Sequence, residues 1–284
     1  MTSTDSLDYV LRTLGDEIVR GTGDLPVLPK AAAEALRLAN SKDMDFERVA
    51  KVAESDPPLA ARFLGVANSA LYYRGTTVRS LHRAVVRLGA QTTRDVLYMA
   101  VYGSTVFDVP EFRDLVEDSF THSIQVAHIA REVAPLLGSD PDRSFLAGLL
   151  HEMGRARCYK IAARNPNLRA DRAVVQAAVD QLYPEAGARL AQAWHLPDEV
   201  VECCRRHLDP GDHTLSTVIH SSIPVARYAE ASRTFLEVPG SPAPDNTDAI
   251  ARLASAGVGE DDAESVLQRG IAVCMSLSGL LTAI

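Results

Sequence analysis

Apolar residues recur along most of the chain at intervals of three and four positions. Leu59, Phe63 and Val66 follow this spacing, and so do Ile129 and Val133. Such a period places apolar side chains on one face of a helix. No segment sustains the alternation of apolar and polar residues that a half-buried strand requires. The pattern therefore predicts an all-α fold of about a dozen short helices.

Proline and glycine divide these helices and indicate where several of them begin. Asp56 stands directly before Pro57 and Pro58, which is typical of a helix start with an acidic cap. Residues 137–141 and 196–198 have similar patterns and predict two further starts.

The same residues suggest how the chain is organised. Residues 237–246 contain three prolines and a glycine, which favours a linker. A softer boundary lies near residues 109–110, and one long helix is expected to follow over residues 111–137. We therefore expect an N-terminal helix (1–24), a first helical subdomain (25–109), a second helical subdomain (110–237), a linker (238–246) and C-terminal helices (247–284).

Composition and charge narrow the classes of partner. The chain has 284 residues, of which 46% are hydrophobic, so it can bury a core of its own. The 37 acidic residues outnumber the 29 basic residues and give a formal charge of -8. With no basic stripe to neutralise phosphates, nucleic acid is not expected as a partner.

The sequence also favours a cytoplasmic protein without membrane insertion. The N-terminal residues lack the basic start and apolar core of a secretion signal. The longest apolar stretch, 14 residues over 271–284, is shorter than the roughly 20 residues of a membrane helix. The four cysteines follow no CxxC pattern, which fits a reducing compartment.

A series of short motifs in the first half carries a resemblance to a known family. In order, they are Leu-Pro-Val-Leu-Pro at residues 25–29, Asp-Pro-Pro-Leu at 56–59, Ala-Asn-Ser at 67–69, and a segment from Ser80 that ends in Leu-Gly at Gly89. This series resembles the HDOD family. Elementary helix mechanics also accounts for some of it, since Gly89 suits a C-terminal helix cap.

The resemblance continues through the second half and covers about residues 25–237. It implies a multi-helical HDOD fold in which an N-terminal helical subdomain packs on a degenerate HD-like helical subdomain. HDOD domains are related to HD-type metal phosphohydrolases and serve mostly as bacterial signalling outputs. A signalling role is therefore implied by the resemblance.

The resemblance also implies where a metal site belongs. An HD-type site uses a histidine on one helix, an adjacent His-Asp pair and a distant aspartate. His122 and His151 match the two histidines, Glu152 stands in place of the first aspartate, and Ile223 stands in place of the second. Histidines that bind a second metal in some relatives correspond to Tyr183 and to the surviving His207, which Arg206 precedes.

These replacements lead us to expect a vestigial site with no catalytic residue, no bound metal and no cofactor. Catalytic metal sites usually have three or more protein ligands. An alternative for His122 and His151 is that both are hydrogen-bonded core residues at a helix crossing.

Three functions remain open from the sequence. The favoured one is a non-catalytic regulatory module that binds a regulatory protein. The second is a divergent phosphodiesterase of a cyclic dinucleotide or other nucleotide, with His122, His151 and Glu152 as metal ligands. The third is a non-hydrolysing cyclic-dinucleotide sensor, whose candidate ligand-binding residues are Arg155, Arg157 and Arg206.

The closing segment, residues 261–284, has more apolar residues than one core-facing stripe requires. It suggests an interface with a partner or in a homodimer, although burial against its own domain explains the same pattern.

Overall fold

The chain is all-α, as predicted. The computed structural model describes residues 3–20, 30–39, 41, 43–69, 72–106, 109–168 and 171–281. These residues form thirteen α-helices and two short 3-10 turns, and no strand occurs among them. The predicted motif at residues 25–29 lies outside the described residues.

The helices follow one another with short connections. In chain order they are α1 (Ser3–Arg20), α2 (Lys30–Ala39), α3 (Phe46–Glu54), α4 (Pro57–Asn68), α5 (Leu81–Val106), α6 (Arg113–Val133), α7 (Pro141–Leu150), α8 (Met153–Arg164), α9 (Arg172–Ala193), α10 (Asp198–Arg206), α11 (Thr214–Glu237), α12 (Thr247–Ser255) and α13 (Glu260–Leu281).

The single long helix predicted over residues 111–137 is wrong in its extent. A 3-10 turn at Pro110–Phe112 precedes α6, and a second at Ala134–Leu137 follows it. Pro135 has no N–H for the carbonyl four residues earlier, so the α-helical ladder stops before it. Gly138, with φ 67°, then ends the turn in the left-handed region.

Contacts divide the chain into two compact units. One comprises residues 1–25 and 106–274, and the other comprises residues 26–105 and 275–284. In this division α1 and α12 join the same unit as α6 to α11.

In the smaller unit, local side-chain bonds fix the helix ends. Asp56 accepts a hydrogen bond from the Leu59 amide at 3.1 Å, with two prolines in the first turn of α4, so the predicted cap is confirmed. Asn68 holds the following loop through both the amide and the carbonyl of Val78. Gly89 adopts φ 73° and interrupts α5, a conformation that favours glycine.

In the larger unit, small residues allow close helix crossings. A Cβ atom on Gly148 of α7 would lie 2.7 Å from the Cα of Ala127 in α6. A Cβ on Gly154 of α8 would lie 1.9 Å from the carbonyl oxygen of Tyr183 in α9 and 2.5 Å from the Gly187 amide nitrogen. All three distances are far below van der Waals contact, so only glycine permits these crossings.

The closing helix α13 packs at least partly within its own unit. Val266 and Leu267 are buried, and Gly270 lies close to side-chain atoms of Val225 and Ile129. Met275 is exposed, and residues 282–284 lie outside the described part of the chain. A homodimer through this segment stays a prediction.

All four cysteines are buried and unpaired. Burial raises the pKa of Cys158 and of Cys204 to about 12, so neither is a thiolate at neutral pH. They act as small apolar residues of the core.

The crossing of α8 and α9 gives a first test. Gly154→Ala is expected to lower the free energy of unfolding by about 3 kcal/mol, because backbone atoms of α9 must move to admit the methyl group. Gly15→Ala is the matched control. Gly15 lies inside α1, and no atom lies within 4 Å of the position that an added methyl group would take, so this change should stabilise by about 0.5–1 kcal/mol. Urea denaturation followed by circular dichroism measures the stability of both variants. Equal urea midpoints for the two variants would contradict the close crossing of α8 and α9.

Candidate functional site

The fold brings three of the predicted site residues together. His122 lies on α6, and His151 and Glu152 form the tight turn that joins α7 to α8. One ligand atom from each of the three lies within 4.8 Å of the others. Because the Gly148 and Gly154 crossings hold α7 against α6 and α8 against α9, the turn faces His122.

His151 presents a lone pair to this cluster. Its Nδ1 lies 2.7 Å from the carbonyl oxygen of Gly148. A carbonyl only accepts, so Nδ1 carries the proton and Nε2 is the basic nitrogen. Burial lowers the pKa of His151 to about 3, which keeps the ring neutral. Its Nε2 is buried and finds no hydrogen-bond partner among the described residues.

His122 also has a ring nitrogen without a hydrogen-bond partner. Its Nε2 is buried without a partner in the described part of the chain, and its ring centre lies 5.7 Å from that of His151. Burial lowers the pKa of His122 below its ordinary value. A buried polar atom left without a partner costs about 1–3 kcal/mol, so two of them at one place point to a water, an ion or a ligand.

Glu152 is ionised and already engaged. Its carboxylate accepts hydrogen bonds from Ser119 Oγ at 2.8 Å and from Arg155 Nε at 2.9 Å. Burial alone would raise the pKa of Glu152, but the Arg155 guanidinium and the hydrogen bond from Ser119 outweigh it and lower the pKa.

Arg155 joins this carboxylate to a second one. Its Nη1 lies 2.5 Å from Asp180, and its guanidinium stacks 4.1 Å above the Tyr183 ring. With two carboxylates and an aromatic ring as neighbours, Arg155 has little capacity left for a phosphate.

Tyr183 and His207 are bonded to each other. His207 Nδ1 lies 3.0 Å from the Cys204 carbonyl and therefore donates, so Nε2 accepts the hydrogen bond from the Tyr183 hydroxyl at 2.9 Å. The His207 ring packs edge-on against His151 with centres 5.1 Å apart. His207 thus lies beside the cluster, but its available nitrogen is already occupied.

The remaining predicted residues lie elsewhere or carry no donor. Ile223 is buried on α11 and has an aliphatic side chain. Arg206 lies at the end of α10, 3.8 Å from Glu202. Arg157 donates to the backbone carbonyls of Ala186 and Ile18 and so ties α1 to α9. The three arginines predicted to bind a ligand thus have different partners.

A cavity of about 310 Å³ opens above Glu152. Several of its residues were not singled out in the sequence, namely Leu115, Asp118, Ser119, Tyr159, Gln176, Asp180 and Arg227. Asp118, Ser119 and His122 follow helical spacing on α6, which is the one sequence signal that could have grouped them.

The donors fit one divalent transition-metal ion in part. His122, His151 and Glu152 are the two imidazoles and one carboxylate that such ions accept. The two buried nitrogens without partners agree with this role, whereas Arg155 competes for the carboxylate. When bound, an ion of this kind lowers the pKa of a coordinated water. No other group of three such donors lies together among the described residues.

The fold and these residues define an HD-related helical domain. The HDOD domain model matches residues 25–210. The chain belongs to the HDOD family.

Proteins similar to the chain include two solved structures and one curated protein. "Putative metal-dependent phosphohydrolase" from Shewanella amazonensis SB2B has a TM-score of 0.68 at 21% identity, with 95% of this chain and 99% of that one covered. "Putative signal transduction protein" from Marinobacter aquaeolei VT8 has a TM-score of 0.61 at 21% identity, covering 99% of this chain and 66% of that one. At these identities the likeness shows the fold.

The curated relative is an uncharacterized protein of Treponema pallidum (strain Nichols). It is 23% identical over 235 residues, which are 77% of this chain and 45% of that protein. The chain thus spans less than half the length of this relative. In the described residues, no helix combines the length and apolar character of a membrane span.

The buried histidines predict an acid-sensitive fold. Burial lowers the pKa of His207 to about 4, whereas an unfolded histidine titrates near 6.5. Between these values the unfolded chain binds a proton that the folded chain does not bind. Folding stability is therefore complete above pH 6.5 and falls as the pH drops toward 4, by about 3 kcal/mol for this group.

Urea midpoints measured from pH 7.5 to 4.5 check this, with His207→Gln as the comparison. The glutamine side chain can still accept from Tyr183 but does not titrate, so its midpoint should fall less steeply. Parallel curves for the two proteins would show that His207 does not titrate as expected.

Proposed function

We propose that the chain is a non-catalytic regulatory module, which transmits a signal by binding a regulatory protein. The observation that carries the proposal is that the polar groups of the HD-type site bond mainly to one another. Glu152 pairs with Arg155, and His207 accepts from Tyr183. Of the three donors that could hold an ion, only His122 and His151 have a nitrogen without a partner among the described residues, whereas Arg155 competes for the Glu152 carboxylate.

The second carboxylate position supports the same proposal. Ile223 stands where the family resemblance places an aspartate, and an aliphatic side chain supplies neither a metal ligand nor a base. The name of the Marinobacter structure agrees with a signalling role. Arg155, Arg157 and Arg206 each bind different protein groups. This does not favour a cyclic-dinucleotide sensor built on those residues.

Replacement of Glu152 in the native host tests the proposal. Glu152→Gln removes the charged metal ligand while leaving oxygen and nitrogen atoms for Ser119 and Arg155. Transcript profiles of this strain should match the wild type and differ from a deletion strain. Glu264→Gln, on the exposed face of α13, is the matched control, and immunoblots verify equal protein levels. If the Glu152→Gln strain has the transcript profile of the deletion strain at a normal protein level, the proposal of a non-catalytic function is wrong.

The two buried nitrogens without partners favour one second candidate, a metal-dependent phosphodiesterase. His122, His151 and Glu152 would hold the ion, and the residues of the 310 Å³ cavity would face the substrate.

Metal content separates the two candidates. If the chain is non-catalytic, we expect less than about 0.1 iron, manganese or zinc per chain in protein purified without chelator, since Arg155 competes for the Glu152 carboxylate. Inductively coupled plasma mass spectrometry gives this value. Near-stoichiometric metal that is lost in Glu152→Gln, together with hydrolysis of bis-p-nitrophenyl phosphate, would establish the phosphodiesterase instead.

A further inference from the structure

A larger cavity adjoins the one above Glu152 and shares Asp118, His122 and Arg227 with it. It has a volume of about 480 Å³, within the range of small-molecule sites. It is formed by α6, α11 and the segment that follows α11, all within the larger unit. Its lining residues are Asp118, Thr121, His122, Gln125, Arg227, Glu230, Ala231, Thr234, Ser241 and Pro242.

Arg227 is the available cation of this cavity. It lies exposed on α11 and makes no hydrogen bond or ion pair with described residues. By contrast, the nearby Arg233 is engaged by Glu230 and Glu237. A guanidinium has five N–H donors in a planar fork that matches a carboxylate. Its donors are therefore open to a ligand in the cavity.

His122 adds a polar atom that is buried at the cavity wall. Its Nε2 has no partner among the described residues. Arg227 lies close enough to contribute to the lowered pKa of His122, after the larger effect of burial. In the tautomer with the proton on Nε2, His122 donates to an anion held by Arg227.

Asp118 limits the charge that the ligand can carry. It is exposed, lines the same cavity and has no hydrogen-bond or ion-pair partner among the described residues. Its carboxylate offsets the charge of Arg227 and repels a dianion more strongly than a monoanion. Ala231, Pro242 and the methyl groups of Thr121 and Thr234 supply the apolar part of the wall.

We propose that this cavity binds a small monocarboxylate with an apolar body. The carboxylate is held by Arg227 and His122, and the apolar body contacts Ala231 and Pro242. Asp118 selects against phosphate monoesters. The site goes beyond the regulatory function proposed above, because it assigns the module a small-molecule ligand.

Isothermal titration calorimetry of the full chain, treated with EDTA, tests the ligand class. The probes are phenylacetate, phenylacetamide and phenyl phosphate, which share a ring and differ in charge. Phenylacetate should bind at least about tenfold more tightly than the uncharged amide, since charge-assisted hydrogen bonds are about twice as strong as neutral ones. Phenyl phosphate should bind more weakly than phenylacetate. No heat with phenylacetate, or tighter binding of phenyl phosphate, would overturn the proposal and leave the regulatory function standing.

Variants locate the binding in this cavity. Arg227→Gln should weaken phenylacetate binding at least about tenfold, and Asp118→Asn should narrow or reverse the preference over phenyl phosphate. Both residues are exposed, so folding should be retained, and circular dichroism verifies this. Arg12→Gln, on the exposed face of α1, is the matched control and should leave both affinities unchanged. Equal phenylacetate affinity in Arg227→Gln and wild type would place the ligand elsewhere and refute the site.

Discussion

The close crossing of α8 and α9 at Gly154 determines where most groups of the site lie. Because Gly154 meets the Tyr183 carbonyl and the Gly187 amide without a side chain between them, the next residue, Arg155, lies over the Tyr183 ring. From there it reaches Glu152 on one side and Asp180 on the other. A bulkier residue at the crossing would separate the two helices and with them these partners.

The crossing also sets the electrostatics of the cluster. Arg155 holds Glu152 ionised inside the protein, where an unpaired carboxylate would be costly. Burial keeps His151 and His207 neutral, with pKa values of about 3 and 4. The result is an ion pair beside neutral imidazoles. A cation that binds Glu152 would have to compete with Arg155 for its carboxylate.

Local features of the structure could be predicted from the sequence, and distant ones could not. The Asp56 cap depends on residues three positions apart. The buried face of Leu59, Phe63 and Val66 depends on helical spacing alone. The approach of His122 to the His151–Glu152 turn was available through the family resemblance. Sequence spacing reveals neither the Arg155–Asp180 ion pair, 25 positions apart, nor the bond from Arg157 to Ile18, 139 positions apart. Long arginine side chains reach partners that are distant in sequence, so such pairs cannot be read from spacing.

Three side chains, Asp118, His122 and Arg227, line both the cavity above Glu152 and the larger cavity. His122 lines both cavities, and a neutral imidazole offers either a lone pair or an N–H at Nε2. A metal ion needs the lone pair, whereas a carboxylate needs the N–H, so the two ligands exclude one another at His122. The charge of Arg227 beside this ring favours the anion and disfavours the cation. The family resemblance places an aspartate where Ile223 lies on the same helix, and an aliphatic side chain there offers no negative charge to attract a metal.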